Sequence, residues 1–205
     1  PFWKSKSQKI LFVKSIEDLK NKTKKSGNKY FVMRHGEAEN NVKGILSANV
    51  EGKFHLTLKG ISQVKDAKNQ LSEKIDLVIS SDVPRAKETA EIMADEIGLD
   101  RNSIIFESRL REIGFGNYEN KTISEYRALF SSYKERFYEA PEGGENFVQV
   151  KNRTTEFLHE IENKYQNKNI LIISHEAPIW LMFAGAIAAG VNGALKLTEK
   201  KEEAF

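Results

Sequence analysis

The 205-residue chain contains no cysteine, which excludes disulfides and thiolate metal sites and fits a reducing compartment; a cytoplasmic location is the expectation. It has no apolar run of membrane-spanning length. The longest, Ala177 to Gly190, is too short to cross a bilayer and reads as a buried helix. No secretory leader, internal repeat or low-complexity tract is visible. A strong charge excess is also missing. The net charge of +3 is too small to argue for nucleic acid by itself. Its distribution is uneven, because residues 1–29 hold nine lysines against Glu17 and Asp18, a local charge of +7, which leaves −4 for the rest. We read residues 1–28 as a basic N-terminal segment, a solvated lysine-rich linker rather than a nucleic-acid arm, and residues 29–205 as one domain. The chain opens at Pro1, as expected of a piece of a longer protein whose C-terminal end is also cut.

What the sequence does have is alternation. Lys29 to His35, Ile75 to Ser81 and Asn169 to His175 are β-prone runs of strand length, apolar at successive positions. Strands apolar on both faces belong to a mostly parallel sheet covered by helices. Ser103 to Leu110 is a weaker fourth strand. Helical patterns lie between: Leu58 to Leu71, Pro84 to Gly98 with its opening proline and closing glycine, Ile123 to Ala140, and Glu145 to Tyr165. The expected class is α/β, a three-layer sandwich with helices on both faces of the sheet.

Three strands end in polar residues of related chemistry: Arg34-His35, Ser80-Ser81 with Arg85 following, and Ser174-His175. Open α/β sheets bind ligands beyond the carboxyl ends of their strands. Arg34, His35, Arg85 and His175 are therefore expected to converge and form an anion site. Guanidinium groups fork onto phosphate oxygens, and imidazole serves as nucleophile or donor. Gly36 would let a ligand approach the backbone. Glu112, in LREIGFGNYE, is placed to donate a proton to a leaving oxygen.

With these motifs in this order, residues 29–190 resemble the histidine phosphatase superfamily, the phosphoglycerate mutase-like group. RHGEAENN is similar to the family signature, FHLTLKGISQ to its LT-x-x-G-x-x-Q segment, SSDVPRAKETA to its second arginine motif, LREIGFGNYENKT to its acid motif, and ISHEAPI to its second histidine motif. The resemblance implies a phosphoglycerate mutase-like fold, His35 as nucleophile, Glu112 as acid, and Arg34, Asn41, Arg85 and His175 as phosphate ligands. It implies phosphomonoester hydrolysis through a phosphohistidine with no cofactor and no metal, on a phosphorylated small molecule. The short span between Glu112 and the PEGGE turn favours phosphatase over mutase-type phosphoryl transfer.

Other signals stay open. Glu176 stands where the family has glycine; it either sets a negative group beside the anion site or points away. Tyr126, Phe130, Tyr133, Phe137 and Tyr138 either roof the pocket or pack the core. His55 lies before the LT segment, beside the pocket, and His159 on a helix surface. Neither HEAPI nor HEIEN completes a zinc motif, and no P-loop or dinucleotide fingerprint is complete. PFWKSKSQKILFVKSIEDL is similar to a stretch of isoleucyl-tRNA synthetases. That likeness would make the chain a domain embedded in a synthetase, active or accessory, with tRNA a partner only in that case. Substrate identity and oligomeric state are unreadable.

Overall fold

The computed structural model describes the backbone of residues 11–13 and 26–204, and side chains over residues 26–197. The apolar runs form β2 (Lys29–Arg34), β3 (Leu77–Ser80) and β5 (Asn169–Ser174). With β1 (Leu11–Val13) and β4 (Ile105–Phe106) they make a five-stranded sheet in the order β1-β2-β5-β3-β4. Only β1 is antiparallel. The chain skips a place between β2 and β3, and β5 later fills it. The carboxyl ends of β2, β5 and β3 therefore lie side by side.

Side-chain alternation along the strands separates two cores. Phe31, Met33, Val78, Leu171 and Ile173 face α2 (Leu58–Ala67) and α3 (Pro84–Ile97), through Val64, Ala90 and Met93. Tyr30, Val32, Ile79, Ile170 and Ile172 face α5 (Phe147–Lys164) and α6 (Glu176–Ala186), through Phe157, Leu158 and Ile179. This is the expected three-layer sandwich. Ile170 to Ile173 are fully buried, two on each face. At about 1.5–3 kcal/mol for each buried aliphatic side chain, a slip of β5 is strongly opposed. α6 is apolar on all sides and buried, as its composition requires.

The helix ends follow their local chemistry. α3 begins with Pro84 and stops at Gly98, whose φ of 73° is left-handed. α5 opens on a reciprocal cap, in which Gln149 N donates to Asn146 Oδ1 and Asn146 N to Gln149 Oε1. A short α1 (Glu39–Lys43) follows the first strand end, and α7 (Val191–Ala204) ends the described chain.

Two expected elements are corrected. The helix expected over Ile123 to Ala140 is only α4 (Ile123–Arg127), then turns, then a 3-10 segment at Glu135–Phe137. The cause is Arg136. Its guanidinium lies 4.3–5.8 Å from the ring centres of Phe147, Tyr126, Tyr133 and Phe130. The segment wraps around this cation instead of presenting one helical face. Glu135 helps by accepting Ser131 N, which starts a new turn where the helix would have continued. The strand expected over Ser103 to Leu110 is two residues long between 3-10 turns. The PFWKSKSQKILFVKSIEDL stretch lies outside the described residues except for Leu11–Val13, which pairs with Val32, Phe31 and Tyr30 of β2.

Candidate active site

The three adjacent strand ends bring together residues far apart in the chain. The sheet pairing continues past the strands: His35 N donates to Ser174 O at 3.0 Å and Ser81 N to Ile173 O at 2.9 Å. The His35 and His175 ring centres are 5.0 Å apart. Arg85, at the first turn of α3 and 2% exposed, lies against both. Its Nε donates to His35 Nε2 at 2.9 Å, and its Nη2 approaches His175 Nδ1 at 3.0 Å and Ser47 O at 2.8 Å.

These contacts fix the tautomers, since a carbonyl only accepts and a guanidinium only donates. His35 Nδ1 lies 2.7 Å from Gly36 O and so carries the proton, which leaves Nε2 with its lone pair. His175 Nδ1 accepts from Arg85, so its Nε2 carries the proton and faces Ser81 Oγ at 2.9 Å. Burial, then the nearby guanidinium groups, hold the pKa of both rings well below the ordinary histidine value. Both are neutral at pH 7, and the positive charge belongs to the arginines. Burial brings Arg85 down to about 10, opposed by Glu112 and assisted by Arg34, and it stays cationic at neutral pH.

Glu112 behaves in the opposite sense. Burial pushes its carboxyl up, against the pull of its bond from Ile113 N at 2.9 Å and of Arg85 and Arg34; Glu176 adds to the rise. A carboxyl so raised holds its proton to higher pH than usual. Arg34 is half-buried, and its Nη1 lies 3.6 Å from Glu176 Oε2. Glu176 therefore points toward the site, not away. Asn41 is half-buried and fixed by its acceptor end, with Oδ1 accepting Ala38 N at 3.0 Å. Its amide donors are the end it can offer an anion.

Gly36 has a reason beyond the one expected: a Cβ there would lie 2.5 Å from Gly60 O, so the close approach of α2 requires glycine. The LT-x-x-G-x-x-Q segment makes that approach: Thr57 caps α2, Gly60 touches the Glu37 backbone, and Gln63 Oε1 accepts Glu37 N at 2.8 Å. Glu37 also pairs with Lys59 at 2.8 Å. His55 is exposed and paired with Glu88 on α3. His159 is half-buried on α5.

Sequence reasoning missed the clamp around Glu112. Arg153 of α5 donates from Nη1 to Arg109 O at 2.6 Å and from Nη2 to Glu112 O at 3.1 Å. It also forks onto Glu145, whose Oε2 accepts Gly114 N at 2.8 Å. On the other side Arg111 forks onto Asp82, next to Ser81. The readable signal was an arginine nearly two turns into a helix, eight residues after a glutamate in a glycine turn.

A mostly parallel sheet whose central carboxyl ends gather two arginines, two neutral imidazoles and a carboxyl of raised pKa defines a phosphoglycerate mutase-like α/β enzyme. The chain belongs to the histidine phosphatase superfamily (branch 1), whose sequence model matches residues 30–199. It is 27% identical over 170 residues to phosphoserine phosphatase 1 of Hydrogenobacter thermophilus, spanning 80% of this chain and 78% of that protein. It is 37% identical over 105 residues to a 2,3-bisphosphoglycerate-dependent phosphoglycerate mutase of Thermoplasma acidophilum, half of each chain. The alpha-ribazole phosphatase of Shigella flexneri superposes with a TM-score of 0.67 at 26% identity, covering 82% of this chain and 83% of that one. Among the described residues no helix is long and apolar enough to cross a membrane.

Proposed function

We propose that the chain hydrolyses phosphomonoesters of small molecules through a phosphohistidine on His35, with no metal. The observation that carries this reading is the Arg85 bridge: one buried guanidinium between an unprotonated His35 Nε2 and His175 Nδ1. A phosphate group is the anion whose oxygens suit those donors, and placing it there puts phosphorus beside the Nε2 lone pair.

Nε2 attacks phosphorus as the ester P–O bond breaks, and Glu112 passes its proton to the leaving alkoxide. Water then attacks the phosphohistidine, Glu112 takes the proton from that water, and the N–P bond breaks to give inorganic phosphate. Arg34, Arg85 and Asn41 hold the phosphoryl oxygens. The arriving dianion favours protonation of His175, which adds a donor. The guanidinium groups do what divalent cations do in other phosphoryl transferases. The test is release of phosphate from p-nitrophenyl phosphate, with quenched-flow trapping of an acid-labile phosphoenzyme. A protein that turns the ester over with no labelled His35 would overturn the covalent route.

Two outcomes separate the acid from the machinery that positions it. Glu112→Gln is expected to lower kcat about 10²–10⁴-fold on an alkyl phosphate. On p-nitrophenyl phosphate, whose leaving group needs no proton, the loss is expected to be far smaller. Because burial raises the Glu112 pKa, wild-type activity on the alkyl ester persists above the ordinary carboxyl range and falls as pH rises through the raised value. That alkaline limb is absent from the Gln variant. Arg153→Ala is expected to cost about tenfold or more in kcat on the alkyl ester, with a smaller change on the nitrophenyl ester, since it displaces Glu112 without touching the phosphate. Equal losses on both esters would mean that Arg153 only holds the fold.

Mutase-type transfer is the second reading, favoured by the half-length match to a phosphoglycerate mutase. Phosphate moved between two glycerate hydroxyls, measured against phosphate released to water, separates the two.

A further inference from the structure

Glu176 has no part in the steps above. It follows His175 directly, opens α6, and reaches over the strand ends to Arg34, with Oε2 3.6 Å from Nη1. A third of its side chain, 34%, is open to solvent, so it lies at the approach to the site rather than in its floor. Its negative charge bears on two other groups of that approach, Glu112 and the Tyr133 phenol, and pushes the pKa of each up. The acid and Glu176 thus share one region. In the proposed route the leaving oxygen departs toward Glu112, which places the alcohol where the Glu176 charge is felt.

We propose that Glu176 selects the alcohol half of the substrate, favouring phosphomonoesters with an ammonium group a few atoms from the ester oxygen and rejecting those with a carboxylate or second phosphate there. The inference rests on the phosphatase reading of the same site. Its physical basis is the sharing of Arg34. With a phosphoryl group bound, the Arg34 guanidinium faces that dianion as well as the Glu176 carboxylate, so two anionic groups draw on the same cation. A substrate ammonium restores the balance, whereas a substrate carboxylate adds a third negative charge to the same few ångströms. Glycine at this position, as the family pattern has it, exerts no such preference. Discrimination here comes as much from repulsion of the wrong ester as from attraction of the right one.

The experiment compares kcat/KM for O-phosphoethanolamine, phosphoglycolate and 2-hydroxyethyl phosphate in wild type, Glu176→Gln and Glu176→Lys. The wild type is expected to prefer the amine over the carboxylate ester by about tenfold or more. The neutral glutamine, close to isosteric, is expected to collapse that ratio by about tenfold, and lysine to invert it. Circular dichroism checks that both variants fold; should the lysine variant not fold, the glutamine ratio decides alone. If the ratio is the same in wild type and Glu176→Gln while all three esters are turned over, the selectivity inference falls and the phosphatase reading stands. If no ester is hydrolysed, p-nitrophenyl phosphate included, both fall.

Discussion

His35→Ala is expected to lose about four orders of magnitude or more in kcat on p-nitrophenyl phosphate, with no phosphoenzyme trapped. The lost ring is the nucleophile in the proposed route, and no neighbour can take its place. His175 offers its Nδ1 to Arg85, and its Nε2 proton points at Ser81 rather than at the phosphoryl position. Gly36 O holds the Nδ1 proton of His35 and so keeps the lone pair on Nε2. Burial and two guanidinium groups hold the pKa of the ring well below the ordinary histidine value. The acid limb of kcat/KM for the wild type should therefore not show an ordinary histidine titration near pH 6.5. Phosphate release measured from pH 4 to 9 checks this, and a His35→Ala protein that keeps its rate would end the covalent account.

Arg85→Lys is expected to lower kcat by about 10³-fold while the protein stays folded. Lysine keeps the charge but loses the fork. One ammonium cannot reach the His35, His175 and Ser47 positions that Nε and Nη2 now serve at 2.8–3.0 Å. Part of the loss is direct, from donors removed from the phosphoryl oxygens. Part is indirect, because the Ser47 contact ties the loop between α1 and α2 to the site. Steady-state rates with circular dichroism as a control measure the first part. A fall in KM-type affinity for inorganic phosphate as inhibitor, greater than the fall in stability, identifies the second as a binding effect. A fully active lysine variant would show that charge alone is needed.

The sheet and the meeting of four side chains were legible because they follow from local rules. Parallel strands read as continuous apolar runs, and polar residues at their carboxyl ends stood out against that background. Once β2, β3 and β5 are neighbours, Arg34, His35, Arg85 and His175 have nowhere else to go. The tautomers were not legible: which nitrogen of each imidazole carries the proton depends on the Gly36 carbonyl and on Arg85, a residue fifty and ninety positions away from the two rings. The segment from Ile123 to Ala140 was misread because its aromatics repeat at helical spacing. What decides its path is Arg136, whose partners include Phe147 from α5, a contact no local window contains. Arg153 and Glu145 escaped for the same reason. Their work is done on the backbone of a loop some forty residues earlier, with bonds to Arg109 O and Glu112 O. Gly36 was singled out for a ligand, and the reason the sequence could not show is the Gly60 carbonyl packed against it.

The bonds from His35 N and Ser81 N to the backbone of β5 carry the sheet's hydrogen-bond ladder straight into the reaction centre. The chemistry thus inherits the rigidity of the molecule's middle strand, and no separate device is needed to hold the reacting groups in register. Glu176, the residue proposed to choose among alcohols, sits instead at a helix start, outside that ladder. A side chain at such a helix start is replaceable without breaking a bond of the ladder, so a scaffold of this kind leaves room for change in the alcohol while the phosphoryl-transfer backbone stays fixed.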